Sequence, residues 1–302
     1  MSLQLFYTDK VPSELKKLAV ICHEGRNTQL TNDILFSGLD ATGSNKFEIW
    51  QTTSEVYDSS FKDFYIKSTK DYMFGCFIAN LKNNNFEDQL YYFYDEIFKF
   101  TEEINFNIAK IWHYIPHFLK KRSNGKNNYD LMCEVRKKVY TKNRISGCYP
   151  ASTAVSIKNT NLVIYFIATP KKIIEVKNVN QTAPYKYPSG YVSTHPLFSR
   201  AILIDKEEKI FVSGTASIEG HETKHHGNIE LQYEQICKNL KSLIKNYDIN
   251  EEDLSNVKIY LSSNAMDAKL MRKFYDKYKD KFITIESELC RENLLIEIDG
   301  IY

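Results

Sequence analysis

Leu294-Leu-Ile-Glu297-Ile-Asp-Gly300 is an apolar run broken by one glutamate, and Leu162-Val-Ile-Tyr165-Phe-Ile-Ala168 is its counterpart earlier in the chain. Both are β-prone runs that close a segment of the same order. Working back from Leu294, Phe282–Ser287 reads as a strand. Before it, Ala268, Met271, Phe274, Tyr275 and Tyr278 make the apolar stripe of a helix for which Asn264 offers an N-cap. Val257–Leu261 alternates as a strand, and Ile229, Tyr233, Ile236, Cys237, Leu240, Leu243, Ile244 and Tyr247 recur at helical spacing just after Gly227. Ala201–Asp205 and Lys209–Ser213, separated by Lys206-Glu-Glu, suit a hairpin. The order is ββ-α-β-α-β-β.

A similar order precedes it: a strand over Asp71–Asn80, a helix over Phe86–Glu103, a strand over Ile108–Ile115, a helix over Tyr129–Tyr140, then strands at Ala151–Ile157 and Leu162–Ala168. Such self-similarity predicts two copies of one supersecondary unit. Tyr165 falls on Glu297, so only the second copy keeps the acid. Lys171–Ser193, with Pro184, Pro188 and Gly190, reads as the connection. We therefore expect a degenerate first domain over residues 1–173 and a second over 174–302 that carries the acid. The fold class is α/β in the broad α+β sense, with mixed sheets and helices packed on one face.

The 302 residues are 43% hydrophobic, enough for a sizeable core. Lys and Arg number 40 against 38 Asp and Glu, with both signs scattered, so no basic face points to nucleic acid. No apolar run reaches the ~20 residues of a membrane span. Six cysteines lie far apart, with no CxxC pair and no secretory leader, which predicts reduced thiols in a cytoplasm.

Glu297 in an apolar terminal strand, with Arg200 and Arg291 placed to meet it, outlines an acid-catalysed site for an anionic substrate. His221-Glu-Thr-Lys-His225 matches HExxH, but Gly220 and Gly227 bracket it and the helical period begins only at Ile229. Two imidazoles share a helical face only when the stretch is helical, so no metal site is expected. The loop is read as a lid or wall.

The second copy resembles the RidA (YjgF-like) fold. Tyr149-Pro-Ala-Ser-Thr153, Phe198-Ser-Arg-Ala201, Ser213-Gly-Thr-Ala216-Ser-Ile218, Gly220-His-Glu222 with His225, and Cys290-Arg291 before Glu297, in that order, together resemble the chorismatase family. The resemblance implies a cofactor-free hydrolase, or lyase, acting on chorismate. Such an enzyme releases pyruvate and leaves a hydroxybenzoate or a dihydroxycyclohexadiene carboxylate. It implies that Glu297 is the acid and that Cys290 bears on which product forms. Arg200, Arg291, Tyr149, Tyr187, His221 and Ala216 are then expected around the substrate. Where relatives carry a Phe-Asn-x-Gly-Arg type segment, this chain has Tyr129-Asp-Leu-Met-Cys-Glu-Val-Arg136, which leaves the role of Arg136 open. RidA units assemble as trimers, and a fused pair meets part of that burial internally, so a monomer is expected. Two other readings stand beside this one. A RidA-like imine deaminase would need an arginine where this chain has Phe282, and a non-enzymatic metabolite-binding module would release no pyruvate.

Overall fold

Three sheets stand around one core. In the computed structural model, which describes residues 3–302 except 26, 208, 248, 250–253, 264 and 266, the first sheet is built from the N-terminal segment. Its strands β1 (Gln4–Thr8), β2 (Lys17–Cys22), β3 (Thr28–Thr31), β4 (Ile34–Ser37) and β5 (Phe47–Gln51) lie in the order β1-β5-β2-β4-β3. The repeat reading did not anticipate this sheet. Its strands are short and partly exposed, so they carry little periodic signal.

The second sheet comprises β6 (Tyr57–Phe61), β7 (Phe64–Ser68), β8 (Met73–Asn80), β9 (Asn107–Pro116), β10 (Ala151–Ile157) and β11 (Asn161–Thr169), with α1 (Phe86–Glu103) and α2 (Asn128–Lys142) between its strands. The third comprises β12 (Ile173–Val176), β13 (Ala201–Ile204), β14 (Lys209–Ala216), β17 (Ser255–Leu261), β18 (Phe282–Glu286) and β19 (Ile296–Ile301). It carries a small hairpin, β15 (Ile218–Glu219) with β16 (Glu222–Thr223), and the helices α3 (Ile229–Ile244) and α4 (Ala268–Tyr278). The two strand orders, β10-β9-β11-β8-β7-β6 and β18-β17-β19-β14-β13-β12, superpose strand for strand. Each has one parallel pair, β9 with β10 and β17 with β18. The duplicated unit is thus βββ-α-β-α-ββ, one edge strand longer in the second copy and a hairpin longer in the first than the sequence pattern indicates.

Each helix starts at an Asn or Asp whose side chain accepts from the first turn: Asn85, Asn127, Asn228 and Asp267. The cap of α4 is therefore Asp267; Asn264 lies outside the described residues. The helices cover one face of the second and third sheets, α1 and α2 over Ile111, Ile164 and Phe166, α3 and α4 over Val212, Ile259 and Ile298. The opposite faces meet the first sheet in a shared core that includes Trp50, Trp112, Tyr165 and Tyr260. No described helix is long and apolar enough to cross a membrane.

Polar groups at the centre of this core join the sheets. Glu48 of β5 accepts from Lys258 of β17 at 2.6 Å, from Tyr165 of β11 at 3.2 Å and from Trp50 at 2.8 Å, and it meets His23 at 3.1 Å. Burial would raise the Glu48 carboxyl, but Lys258 and His23 hold it down at about 2. Tyr165 also stacks on Trp112, with 4.8 Å between ring centroids. The tyrosine that stands in for the acid in the first copy is thus part of the scaffold.

Candidate active site

Strand β19 runs between β14 and β17, so its alternate residues are buried on both faces. Ile296 and Ile298 enter the helix-side core, which turns Glu297 and Asp299 toward the inter-sheet side. Two residues beyond Glu297, opposite Asp299, the β14–β19 register slips between Val212 and Thr215, a bulge that falls on Ser213-Gly214. A Cβ on Gly214 would lie 2.0 Å from Oε1 of Glu297, so only glycine leaves room for the carboxyl there. Ser213 ties the bulge down. Its Oγ accepts from the N–H of Ser152 at 2.8 Å and donates to the carbonyl of Ser199 at 2.6 Å. The Ser213-Gly214 motif therefore clamps β10 of the first copy to β14 of the second.

The result is a small, partly open cavity of about 40 Å³ at the junction of the two copies. The first copy contributes Tyr129, Met132, Arg136, Ser152 and Ala154, and the second contributes Gly214, Cys290 and Glu297. Pro196 and Phe198, from the connection, form the remaining wall. Glu297 has no hydrogen-bond donor among the described residues. Burial foremost, and the charge of Asp299 next, push its carboxyl up to about 8 against the opposing pull of Lys110 and Arg200. It holds a proton at neutral pH. Burial likewise pushes the Cys290 thiol up to about 12, so it stands in the wall as a neutral S–H.

Two guanidinium groups are buried near this acid with no carboxylate within ion-pair distance among the described residues. Arg136 is 2% exposed. Its Nε donates to Tyr94 at 3.0 Å, and Nη2 reaches Ser152 Oγ at 3.3 Å and His113 Nε2 at 3.4 Å. Burial and the Arg136 charge hold His113 well below its ordinary value, so this histidine adds no second cation and no anion. Arg200 is 4% exposed; its Nη2 donates to Tyr187 Oη at 2.8 Å and to the carbonyl of Thr182 at 3.1 Å, while its Nε is buried without a partner. Buried charges are ordinarily paired, so two that are not define a receptor for anionic groups.

The other sequence candidates are distributed around this centre. Tyr187 is buried against Arg200. Arg291 lies outside the cavity wall and is held at the rim, donating to Tyr191 Oη, the His221 carbonyl and Thr223 Oγ1 at 3.0–3.1 Å. His221 packs edge-on to Tyr191 in the same rim cluster. Ala216 is the cross-strand partner of Glu297 and is buried behind it. Tyr149 stacks on Tyr140, meets Tyr185 edge-on and does not line the cavity. The His221–His225 stretch holds β16 and a turn at His225 (φ 58°), not a helix. Arg136 and Gly214 enter the site from outside the candidate set. The signal for Gly214 was its place in Ser213-Gly-Thr; Arg136 had none beyond its departure from the family pattern. A surface groove of about 620 Å³ near Ser156 and Glu286 is far larger; Lys158 and Glu286 in its lining pair with each other at 2.6 Å.

The Gly214 contact leads to a direct test. Gly214→Ala is expected to push the Glu297 carboxyl off its position and lower turnover by ~100-fold, as an ångström-scale misplacement of a reacting group does. Steady-state kinetics with a melting curve for the folded state checks it.

Residues 48–168 match the family model described as chorismatase FkbO/Hyg5-like, N-terminal. Over 229 residues the chain is 25% identical to a 3-hydroxybenzoate synthase from Streptomyces hygroscopicus, covering 69% of this chain and 67% of that one. It is 24% identical over 274 residues to a chorismatase from Streptomyces rapamycinicus, covering 84% and 81%. A crystal structure of a chorismatase superposes with a TM-score of 0.87 over 100% of this chain and 99% of the other, at 20% identity.

Proposed function

We propose that this chain, similar over most of its length to chorismatases, is a member of that family and hydrolyses chorismate to pyruvate and a ring carboxylic acid, with Glu297 as the proton donor. One observation carries the assignment of roles: a protonated, donor-free carboxyl shares its surroundings with two buried guanidinium groups that have no carboxylate of their own. Chorismate is a dianion with an enol ether. Its two carboxylates match Arg136 and Arg200, whose planar forks take paired charge-assisted bonds.

The acid gives its proton to the terminal methylene carbon of the enolpyruvyl group, and the ether carbon becomes an oxocarbenium centre. The carboxylate left on Glu297 stabilises that cation and accepts a proton from the water that adds to it. The hemiketal then collapses, the ring C–O–C linkage opens, and pyruvate leaves. Positioned proton transfer of this kind is worth ~10²–10⁴ in rate. No cofactor is called for in these steps.

A cavity of about 40 Å³ holds little more than a water molecule, so the substrate enters as the wall parts. Two parts of the wall lie outside the helices and sheets, Pro196–Phe198 and Cys290, and we assign the opening to Pro196–Phe198. The ring diol that this leaves becomes a hydroxybenzoate by losing one water, and Cys290, a neutral thiol beside the acid, favours that product. Both halves of the wall come from one chain, which supports action as a monomer. Six scattered, unpaired cysteines fit a reducing cytoplasm.

Incubation of the purified chain with chorismate tests the reading. We expect one pyruvate per chorismate consumed, by a coupled dehydrogenase assay, and a hydroxybenzoate by chromatography. Chorismate left intact would overturn the function, and a dihydroxy diene product would overturn the role of Cys290.

A further inference from the structure

Two carboxylates occupy the same face of β19, two residues apart and both buried: Glu297 at 4% and Asp299 at 2% exposure. Their surroundings could hardly differ more. Oδ2 of Asp299 is 3.2 Å from Lys110 Nζ and accepts from Trp112 Nε1 at 2.9 Å, Thr153 Oγ1 at 2.7 Å and Tyr260 Oη at 3.3 Å. Glu297 receives no such donor. When neighbouring acids share a site, the one with the cation and the donors takes the negative charge and the other keeps the proton.

We propose that Asp299 is a positioning residue for the reaction: anchored as an anion by Lys110, Trp112, Thr153 and Tyr260, it confines the proton of this strand face to Glu297. The inference rests on the reading of Glu297 as the acid. The anchor spans both copies, since Lys110 and Trp112 belong to β9, Thr153 to β10 and Tyr260 to β17. Thr153 Oγ1 also accepts from the N–H of Gly214 at 3.1 Å, so the hydroxyl that holds Asp299 also holds the bulge facing Glu297. The fixed charges around the pair are Lys110 from β9, Arg136 from α2 and Arg200 before β13. Cys290 is the neutral thiol, Tyr260 the neutral phenol, and the Glu48–Lys258 pair lies behind Lys110. Of these groups only Asp299 brings negative charge to the inner face of β19.

The test compares pH profiles of pyruvate release and, independently of activity, the infrared carbonyl band of the Glu297 acid, assigned by its loss in Glu297→Gln. Asp299→Asn should move the alkaline limb of the profile and the band's titration down by about one pH unit. It should then be about fivefold slower near pH 8 while staying close to the unmodified protein near pH 6, where the acid is protonated in both. Lys110→Gln should move both readouts up. A merely structural role lowers activity at every pH and moves neither titration. An unmoved limb in Asp299→Asn, or shifts of one sign in both variants, would overturn the proposal. So would the absence, in the unmodified protein at neutral pH, of a carboxylic acid band that titrates near 8, whatever the variants do. Retained turnover in Glu297→Gln would instead remove the acid assignment itself, and the two failures are told apart by that variant.

Discussion

Glu297→Gln is expected to end pyruvate release, with kcat lower by at least ~10³, because the amide cannot deliver the proton that begins the reaction. The fold should survive, since glutamine has the same shape and Glu297 makes no hydrogen bond that its loss would break. Stability supplies a second, independent signature. The carboxyl sits at an ordinary 4.5 when exposed and at about 8 in the folded chain. For an acid raised on folding, the native chain keeps a proton that the unfolded chain has released. The stabilising contribution is therefore whole below about 4.5 and is lost as pH rises to about 8. Across that window the slope is at most ~1.4 kcal/mol per pH unit. The variant lacks the slope, so its melting temperature should equal that of the unmodified protein near pH 4.5 and exceed it increasingly toward pH 8. Calorimetry across this range checks it; parallel pH dependences would place Glu297 in contact with solvent and remove it as the acid.

Arg136→Met is expected to separate binding from folding. The guanidinium is buried against neutral groups only, so its charge is uncompensated until an anion arrives. Replacing a buried, unmatched charge by an apolar side chain of similar volume is neutral or stabilising, which offsets the hydrogen bonds to Tyr94 and Ser152. With substrate bound, the same change removes one partner of a desolvated ion pair and should cost at least ~100-fold in kcat/KM, mainly through KM. A melting temperature held or raised beside that loss is the expected pair of results. A variant that melts early and binds normally would make Arg136 a structural residue.

Much of the architecture was legible. Phe86–Glu103 has the same bounds as α1 because its aromatic residues recur at helical spacing and the Asn85 side chain caps its first turn. The alternation around Glu297 placed Ile296 and Ile298 on one face, where they pack under α3 and α4. What escaped was short or non-local. The N-terminal strands are four to six residues long and several are partly exposed, so their pattern is faint. The reading of Asn264 as the cap of α4 falls three residues short of Asp267, because periodicity does not fix where a helix begins. Arg136 looked like one basic residue in a helix of several, and its burial depends on Tyr94 and His113, which belong to other elements. Arg291, by contrast, precedes the acid closely in sequence, yet the turn between them carries it to the rim.

By itself the sequence determined the two repeated units, the strand that carries the acid and the face on which that acid lies, since hydrophobic period is a local property written along the chain. Tertiary structure alone decided that, among the described residues, Glu297 has no donor, Asp299 has four partners, and Arg136 and Arg200 are buried without carboxylates. Each of these is a matter of desolvation and of contacts between segments far apart in the chain. Protonation follows from what surrounds a group after folding, and no reading of its neighbours in sequence contains that.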